Sequence, residues 1–383
     1  GAFCGETKGQ GAIFDEIIHS LELFGAVAPY RKYAPNTEGE ARIFNHEILA
    51  IVLQEMLLKY NVKLLLHTRF VDAIVDDTGN ITECVVCGKS GLEAIRAKIF
   101  IDSTGEGEVA REAGFETMKG DPATGYQLPM SLMFFVRHVE DDEARTEVPE
   151  NWFKRIEKFE DLPMVTVWPN GPHSNAIKLK IPAFDSTDTE SMTEAEIFAR
   201  RRMMEFIDYC QRTEELVLPD QCSYPKMLRR QHKWILDHCS AQVGIREGRR
   251  IVGEYLLTVD DIRKGRSFDD AIAKGVFYLD AHRPNDDKST YMLKKDDMYV
   301  PPYHIPFRCL IVKDGKNLMS SGRCFSCDQL ALTSARVTTT CSMMGQAAGL
   351  AAAMCVKNDC QIRDIDFIQV RKAVEANGAD LSL

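Results

Sequence analysis

A glycine-rich loop after a predicted buried strand is the first feature that could do chemistry. In IFIDSTGEGEVAREAG (99–114) the strand ends at Asp102, Thr104 and Gly105 form a turn, and a short helix follows. Glycine permits positive φ and lets a flat ligand approach the backbone. Free N–H groups at the start of the helix would favour an anion. The same pattern also fits an ordinary turn between a strand and a helix.

A second stretch, nearer the C-terminus, has a similar design. In residues 317–353 a predicted strand delivers Gly322 and Arg323, a polar loop carries Arg336, and a helix begins near Cys341. Amides at the start of that helix would stabilise negative charge on a ligand. The alternative is a core helix with an Ala/Gly packing face.

Basic and aromatic side chains of the middle region are the candidates for binding and converting a substrate. His282, in LDAHRP, is the candidate base, and Tyr303 and His304 stand at the start of a predicted strand. Arg246, together with Arg249, would hold a carboxylate through paired hydrogen bonds. For each residue the alternative is a structural hydrogen bond or ion pair, and the glutamates near the arginines are the expected partners.

The chain has twelve cysteines, and two pairs have C-x-x-C spacing, Cys84 with Cys87 and Cys324 with Cys327. A chain of this size folds without disulfides, so we expect the cysteines to be reduced and mostly buried. Cys84 and Cys87 lie on a predicted strand and would project from opposite faces. Cys324 and Cys327, with Cys341, leave a redox or metal role as an alternative, although no metal site is predicted.

The elements that must position these residues follow from hydrophobic periodicity. The first hundred residues predict a helix (41–62), a buried strand (62–70), a hairpin (70–88) and a further strand (94–105). A buried apolar strand after a helix is typical of a parallel sheet. A long helix rich in Ala and Gly is predicted over 337–360.

The middle of the chain predicts a different architecture. Antiparallel or mixed strands alternate with one strong helix (193–212), for which Thr193 is the expected N-cap. We therefore predict an α/β fold in two domains. A parallel-sheet domain comprises 1–120 and 305–383, and an inserted β-rich domain comprises 121–304.

Composition narrows the functional class. The 383 residues are 45% hydrophobic and 27% charged, with a formal net charge of −10. This balance is typical of a globular enzyme and does not favour nucleic acid or an anionic membrane as a partner. No apolar run approaches the roughly 18 residues that span a bilayer. A cytoplasmic location is the expectation.

Taken together, these blocks resemble the FAD-dependent oxidoreductases, a family of glutathione-reductase-like two-domain flavoproteins. The resemblance rests on STGEGE (103–108), GRCFS (322–326) and ARVTTTCSMMGQAAG (335–349), and VGIREGRRIVGEYLLTVDD (243–261), LDAH (279–282) and YHIPFRCLI (303–311) also match. It implies FAD as cofactor, bound to a Rossmann-like parallel sheet. The residues that the resemblance implies for FAD are Val71 or its neighbour Phe70, Thr104, Gly105, Glu106, Gly322, Arg323, Arg336, Gly345, Gln346 and Ala347.

The sequence departs from the family in one main respect. Such proteins begin with a strand, a GxGxxG loop and a helix, and this sequence contains no GxGxxG. The expectation is that Gly1 is an internal position and that a βαβ unit of at least about 30 residues is missing before it. Smaller departures are Ser103, where the family usually has Ala, and Glu106 and Glu108, where it has Asp.

The resemblance implies an enzyme that transfers a hydride between a small organic substrate and flavin N5. His282, Arg246, Tyr303 and His304 are the candidate catalytic residues. The alternative is a non-catalytic fragment or subunit that cannot hold FAD alone. The expected partner is a small-molecule substrate, with either a homo-oligomer or a partner segment supplying the missing unit.

Overall fold

A computed structural model describes residues 2–29, 31–32, 40–140, 148–170, 173–213, 233–288 and 290–383. The chain forms two compact units. The first comprises Gly1–Lys119, Gly248–Ala281 and Leu293–Leu383, and the second comprises Gly120–Glu247 and His282–Met292. The stretches 248–281 and 293–304, which the sequence analysis grouped with the middle domain, belong by compactness to the first unit.

Within the part of the chain that the structure describes, the first unit contains twelve strands and seven helices. The strands are β1 (Ala2–Gly5), β2 (Arg31–Lys32), β3 (Glu40–Ile43), β4 (Arg69–Val75), β5 (Ile81–Gly88), β6 (Gly91–Arg96), β7 (Phe100–Asp102), β8 (Thr117–Lys119), β13 (Arg249–Ile251), β14 (Ala271–Gly275), β15 (Tyr303–Pro306) and β16 (Leu318–Ser320). The helices are α1 (Ala12–Leu23), α2 (His46–Lys59), α3 (Glu108–Glu112), α5 (Val259–Arg263), α6 (Gln329–Ala335), α7 (Thr338–Asn358) and α8 (Phe367–Ala376).

The second unit is a four-stranded antiparallel sheet with one long helix. Its elements are β9 (Met130–His138), β10 (Val165–Pro169), β11 (Ser174–Ile181), α4 (Thr189–Arg212) and β12 (Trp234–Cys239), with sheet order β10-β11-β9-β12. Alternating apolar residues of β9 and β11 pack with the apolar stripe of α4 to form the core. The N-cap of α4 is Asp188, whose side chain accepts from Ser191 N, so the prediction of Thr193 as the cap was wrong. Thr193 instead donates its hydroxyl to the Thr189 carbonyl.

The fold is mixed α/β, as predicted, but the parallel sheet is small. Among the strands of the described ranges, only β7 and β16 pair in parallel, with Ser320 opposite Asp102. The hairpin β4–β5 and strand β6 form an antiparallel sheet, as the alternation in the sequence predicted for residues 70–88. The remaining strands of the first unit form the antiparallel groups β1-β3-β2, β13-β8 and β14-β15.

Three predicted strands do not form as expected. Residues 62–68 lie outside any strand, and Leu66 is 64% exposed. An apolar run becomes a strand only where a ladder partner is available, and none of the described strands pairs with it. The sequence also predicts strands over 242–258 and 276–282. The first shrinks to β13, and the second is replaced by β14, just upstream.

Candidate functional site

The parallel pair β7–β16 brings the two glycine-containing loops together. β7 ends at Asp102 and β16 at Ser320, and these two residues are opposite each other in the register. The carboxyl ends of parallel strands share one edge of a sheet, which is where α/β proteins bind ligands. The loop 103–107 and the turn Gly322–Cys324 therefore leave the sheet side by side. Two blocks more than 200 residues apart in sequence thus form one structural feature.

The buried carboxylate of Asp102 organises the first loop. Its Oδ1 accepts from Thr104 N at 3.1 Å and from Thr104 Oγ1 at 2.7 Å. Its Oδ2 accepts from Val109 N at 2.9 Å and Ala110 N at 3.1 Å, in the first turn of α3. Sequence reasoning treated Asp102 only as the end of a strand. The signal that could have revealed its role was the Asp-x-Thr spacing, which is typical of a side chain turning back onto its own backbone.

The amides at the start of α3 are already used by the protein. Thr104 Oγ1 accepts from Glu106 N at 3.3 Å and Glu108 N at 3.1 Å, and Asp102 takes the next two amides. The expectation of free N–H groups at this helix was therefore wrong for these four positions. An anion at this edge must be held by other groups.

Arg323 is the group best placed to hold an anion at this edge. Gly105 has φ +79°, and a Cβ built there would lie 2.5 Å from Arg323 Nη2, so the guanidinium packs directly on the glycine. Arg323 is half-buried, and its Nε has no hydrogen-bond partner among the described residues. A guanidinium in this position suits a phosphate or another flat anionic group.

Glu106 lies next to this cation in a crowded setting. A Cβ at Gly248 would lie 2.5 Å from Glu106 Cγ, so only glycine fits there. Burial raises the pKa of Glu106 above its ordinary value, while the cations of Arg323 and Arg249 oppose the shift and Glu108 adds to it. Glu106 therefore holds a proton more readily than an exposed glutamate.

Helix α7 contributes three more of the predicted FAD residues, Gly345, Gln346 and Ala347. Its N-cap, Val337, provides no capping side chain, so the first turn keeps amides that no cap residue satisfies. Arg336, just before it, forms an ion pair with Asp280 at 3.2 Å. Gly345 lies near Ser321: a Cβ built on Gly345 would be 3.6 Å from Ser321 Oγ.

Gln346 and Ala347 point into the first unit. Gln346 Oε1 accepts from Ile13 N at 3.3 Å, and a Cβ at Gly11 would lie 2.3 Å from Gln346 Nε2. Gln346 thus caps the start of α1, and Ala347 is fully buried. The remaining predicted FAD residue, Val71, lies on β4 and is 44% exposed, whereas Phe70 packs against a core cluster.

The four candidate catalytic residues do not lie in one unit. His282 and Arg246 belong to the second unit, and Tyr303 and His304 to the first. His282 is buried with its ring centroid 4.4 Å from that of Tyr291. Arg246 is close enough to Lys180 to help lower the pKa of that buried lysine, although burial is the larger cause.

Tyr303 and His304 make internal hydrogen bonds on β15. The Tyr303 hydroxyl lies 2.8 Å from Ser334 Oγ, its ring packs on Gly275, and burial raises its pKa. His304 Nδ1 accepts from Phe268 N at 3.2 Å, and its Nε2 lies 2.7 Å from the Leu381 carbonyl. These contacts are those of structural residues, and the catalytic assignment stays a prediction.

The contacts of His304 predict a pH-dependent stability. Burial lowers the pKa of His304, so this side chain binds a proton more weakly in the folded chain than in the unfolded chain. Stability therefore rises with pH through this range, and is lost as pH falls below the ordinary histidine value of about 6.5. We expect the urea concentration at the midpoint of unfolding to decrease as the pH is lowered from about 7.5 to about 5.

His304→Gln removes this titration and should flatten the slope, while the control His19→Gln, which removes an exposed histidine of α1, should keep it. An unchanged slope in His304→Gln would contradict the assignment.

The C-x-x-C pairs behave differently from each other. Cys84 is buried and Cys87 exposed on β5, which confirms that they project from opposite faces. Cys324 and Cys327 are both buried. The Cys324 thiol donates to the Asp102 carbonyl at 3.4 Å, and burial raises its pKa to about 12. Within the described ranges no group of three or more His, Cys, Asp or Glu side chains is arranged to hold a metal ion.

The site now defines a class of protein. A glycine loop and an arginine at the carboxyl edge of parallel strands, followed by a small-residue helix, are suited to an anionic dinucleotide cofactor. The model of the family described as FAD dependent oxidoreductase matches residues 1–374. The chain belongs to that family, and its cofactor is FAD.

Solved structures give more distant similarities. The flavin-dependent brominase Bmp2 is 11% identical with a TM-score of 0.45, over 97% of this chain and 73% of its own. PqsL, described as a probable FAD-dependent monooxygenase from Pseudomonas aeruginosa, is 11% identical with a TM-score of 0.40, over 99% and 83%. Likenesses this remote do not define a reaction. No curated protein matches the chain by sequence. Among the helices described, none is long and apolar enough to cross a membrane.

Proposed function

We propose that this protein is an FAD-dependent oxidoreductase that transfers a hydride between a small organic substrate and flavin N5. The observation that supports it most is Arg323, whose guanidinium packs on Gly105 at the carboxyl edge of β7 and β16 with its Nε unpartnered among the described residues. FAD, when bound, supplies the redox chemistry, and the protein supplies orientation and charge.

The residues at the edge fit such a cofactor. Arg323 would hold its anionic part, and Gly105, with φ +79°, lets the ligand approach without a side chain. Asp102 keeps the loop in place through four hydrogen bonds. The first turn of α7 would face negative charge, because it has no acidic residue and no capping side chain.

On the substrate side, we propose Arg246 as the anchor for a substrate carboxylate. Lys180 is 3% exposed at its side chain and lies close enough to Arg246 for the two cations to interact. Lys180 is held by Asp286 at 3.4 Å and by the Lys288 carbonyl at 3.0 Å. The half-buried Arg246 next to the buried Lys180 favours an anionic substrate. His282 is the proposed base, and Tyr303 and His304 stay predicted catalytic residues.

The test separates hydride transfer from other flavin chemistry. The purified protein is mixed anaerobically with a panel of 2-hydroxy acids, amino acids and saturated carboxylic acids. Reduction of the flavin is followed by its absorbance at about 450 nm. We expect one class to bleach the flavin. Replacing FAD by 5-deaza-FAD should preserve that reduction, because the deaza analogue still accepts a hydride but does not react readily with oxygen.

Two variants locate the substrate residues. Arg246→Ala should raise the substrate concentration needed for half-maximal reduction by about 10-fold or more, while Arg246→Lys partly restores it. His282→Gln should slow the reduction rate at saturating substrate. Loss of reduction with 5-deaza-FAD would contradict hydride transfer, and a colourless protein that binds no added FAD would favour the fragment or subunit alternative.

Other proposals accompany this one. The stretch 1–120 with 305–383 is proposed to hold FAD on a Rossmann-like sheet, and 121–304 to bind substrate. A homo-oligomer and a cytoplasmic location also stay proposals.

A further inference from the structure

Two cysteines meet at the C-terminal end of α7. The helix ends with Asp359 in the left-handed conformation (φ 51°), and Cys360 N donates to the Cys355 carbonyl at 3.1 Å. This backbone bond spans six residues and is the closing bond of a Schellman motif. In that motif the side chains of the two bonded positions pack together. Here both side chains are thiols.

The two thiols are neighbours and differ in exposure. The backbone bond at the helix end brings Cys360 next to Cys355, close enough for Cys360 to help raise the pKa of the Cys355 thiol. Cys355 is 1% exposed, whereas Cys360 is half-buried. Both line a cavity of about 470 Å³ that also touches Lys98 and Asp364. Small molecules can therefore approach Cys360 from the cavity, while Cys355 lies behind it.

We propose that Cys355 and Cys360 are a site of reversible disulfide formation, driven by a peroxide. The Cys360 thiolate attacks hydrogen peroxide, the O–O bond breaks, and a sulfenic acid forms with release of one water. The Cys355 thiol then loses its proton and attacks the Cys360 sulfur, forming the S–S bond and releasing the second water. Two thiols are oxidised and one peroxide is reduced to two waters.

The order of the two steps follows from the setting of each thiol. Burial, the largest cause, and the neighbouring Cys360 raise the pKa of Cys355 to about 11, so few Cys355 side chains are thiolates at neutral pH. Cys360, the more accessible of the two, therefore reacts with the oxidant first, and the buried Cys355 thiol resolves the sulfenic acid. The closed loop is short, so the disulfide constrains the helix end more than it stabilises the whole chain.

The C-x-x-C pairs of the sequence do not offer this chemistry. Cys84 and Cys87 project from opposite faces of β5. The Cys324 thiol donates a hydrogen bond to the Asp102 carbonyl and is buried, so an oxidant in solution does not reach it. Cys355 and Cys360, separated by four residues, face each other because the helix ends between them.

The experiment treats the purified full chain with hydrogen peroxide, blocks remaining thiols with an alkylating agent, and maps peptides without reduction. We expect a Cys355–Cys360 link with a loss of about 2 Da, reversed by dithiothreitol. In Cys360→Ser the link should disappear, and Cys355 should stay a free, slowly alkylated thiol. In the control Cys87→Ser the link should form as in the unchanged protein.

A second measurement tests whether Cys360→Ser loses the disulfide only because it misfolds. Circular dichroism should show that Cys360→Ser keeps its helix content. Hydrogen exchange should slow at the amides of 355–360 after oxidation of the unchanged protein, and not in Cys360→Ser. Oxidation that stops at a sulfinic acid on Cys360, or that links two chains through Cys360, would overturn the proposal.

Discussion

Arg323→Ala is expected to weaken FAD binding by about 10- to 150-fold, because hydrogen bonds to charged groups contribute about 1.5–3 kcal/mol and every 1.4 kcal/mol is tenfold. The guanidinium packs on Gly105 at the edge where the parallel strands end, and its Nε has no partner among the described residues. The amides of Glu106, Glu108, Val109 and Ala110, which could have replaced it, are hydrogen-bonded to Asp102 and Thr104.

The measurement is a titration of apoprotein with FAD, followed by quenching of flavin fluorescence. Arg323→Lys keeps the charge but not the planar donor fork, and should fall between the unchanged protein and Arg323→Ala. Arg96→Ala removes an exposed arginine that pairs with Glu83 on β5, and should bind FAD as the unchanged protein does. Equal affinities for Arg323→Ala and Arg96→Ala would show that this edge does not hold the cofactor.

Asp102→Asn is expected to lower the free energy of unfolding by about 3 kcal/mol. Its carboxylate is fully buried and accepts four hydrogen bonds, two from Thr104 and two from the first turn of α3. An amide group presents N–H to at least one of these donors, so a buried donor is left unsatisfied. The loop 103–107 should lose its fixed conformation, and FAD should bind less tightly as a second consequence.

The chain contains a matched control for this substitution. Asp76 makes the same local pattern, accepting from Thr78 N at 2.8 Å and Thr78 Oγ1 at 2.7 Å, but in an exposed hairpin turn. Water can satisfy the donors there, so Asp76→Asn should shift the urea midpoint far less. If both substitutions shift the midpoint equally, burial is not what makes Asp102 important.

The sequence by itself determined the local elements that have a strong hydrophobic periodicity or are bounded by clear turn residues. The hairpin of residues 70–88 and the long helix at 337–360 are formed as predicted, because alternation and helical spacing are local properties of the chain. The glycine loops and the family to which they point were likewise readable, since glycine adopts the positive φ seen at Gly105 and Gly322 at the lowest steric cost.

The tertiary structure decided which groups are free and which are already used. Amides predicted to be free at α3 are bonded to Asp102, and Gln346 caps α1 from the other end of the chain. The C-x-x-C pairs do not bring two accessible thiols together, whereas Cys355 and Cys360 are neighbours at a helix end and line one cavity. Gln346 reaches α1 from 333 residues away. The two cysteines meet because of how α7 terminates, and the order of residues alone does not specify either outcome. Local spacing set the elements, and long-range packing assigned their polar groups to structure or to a ligand.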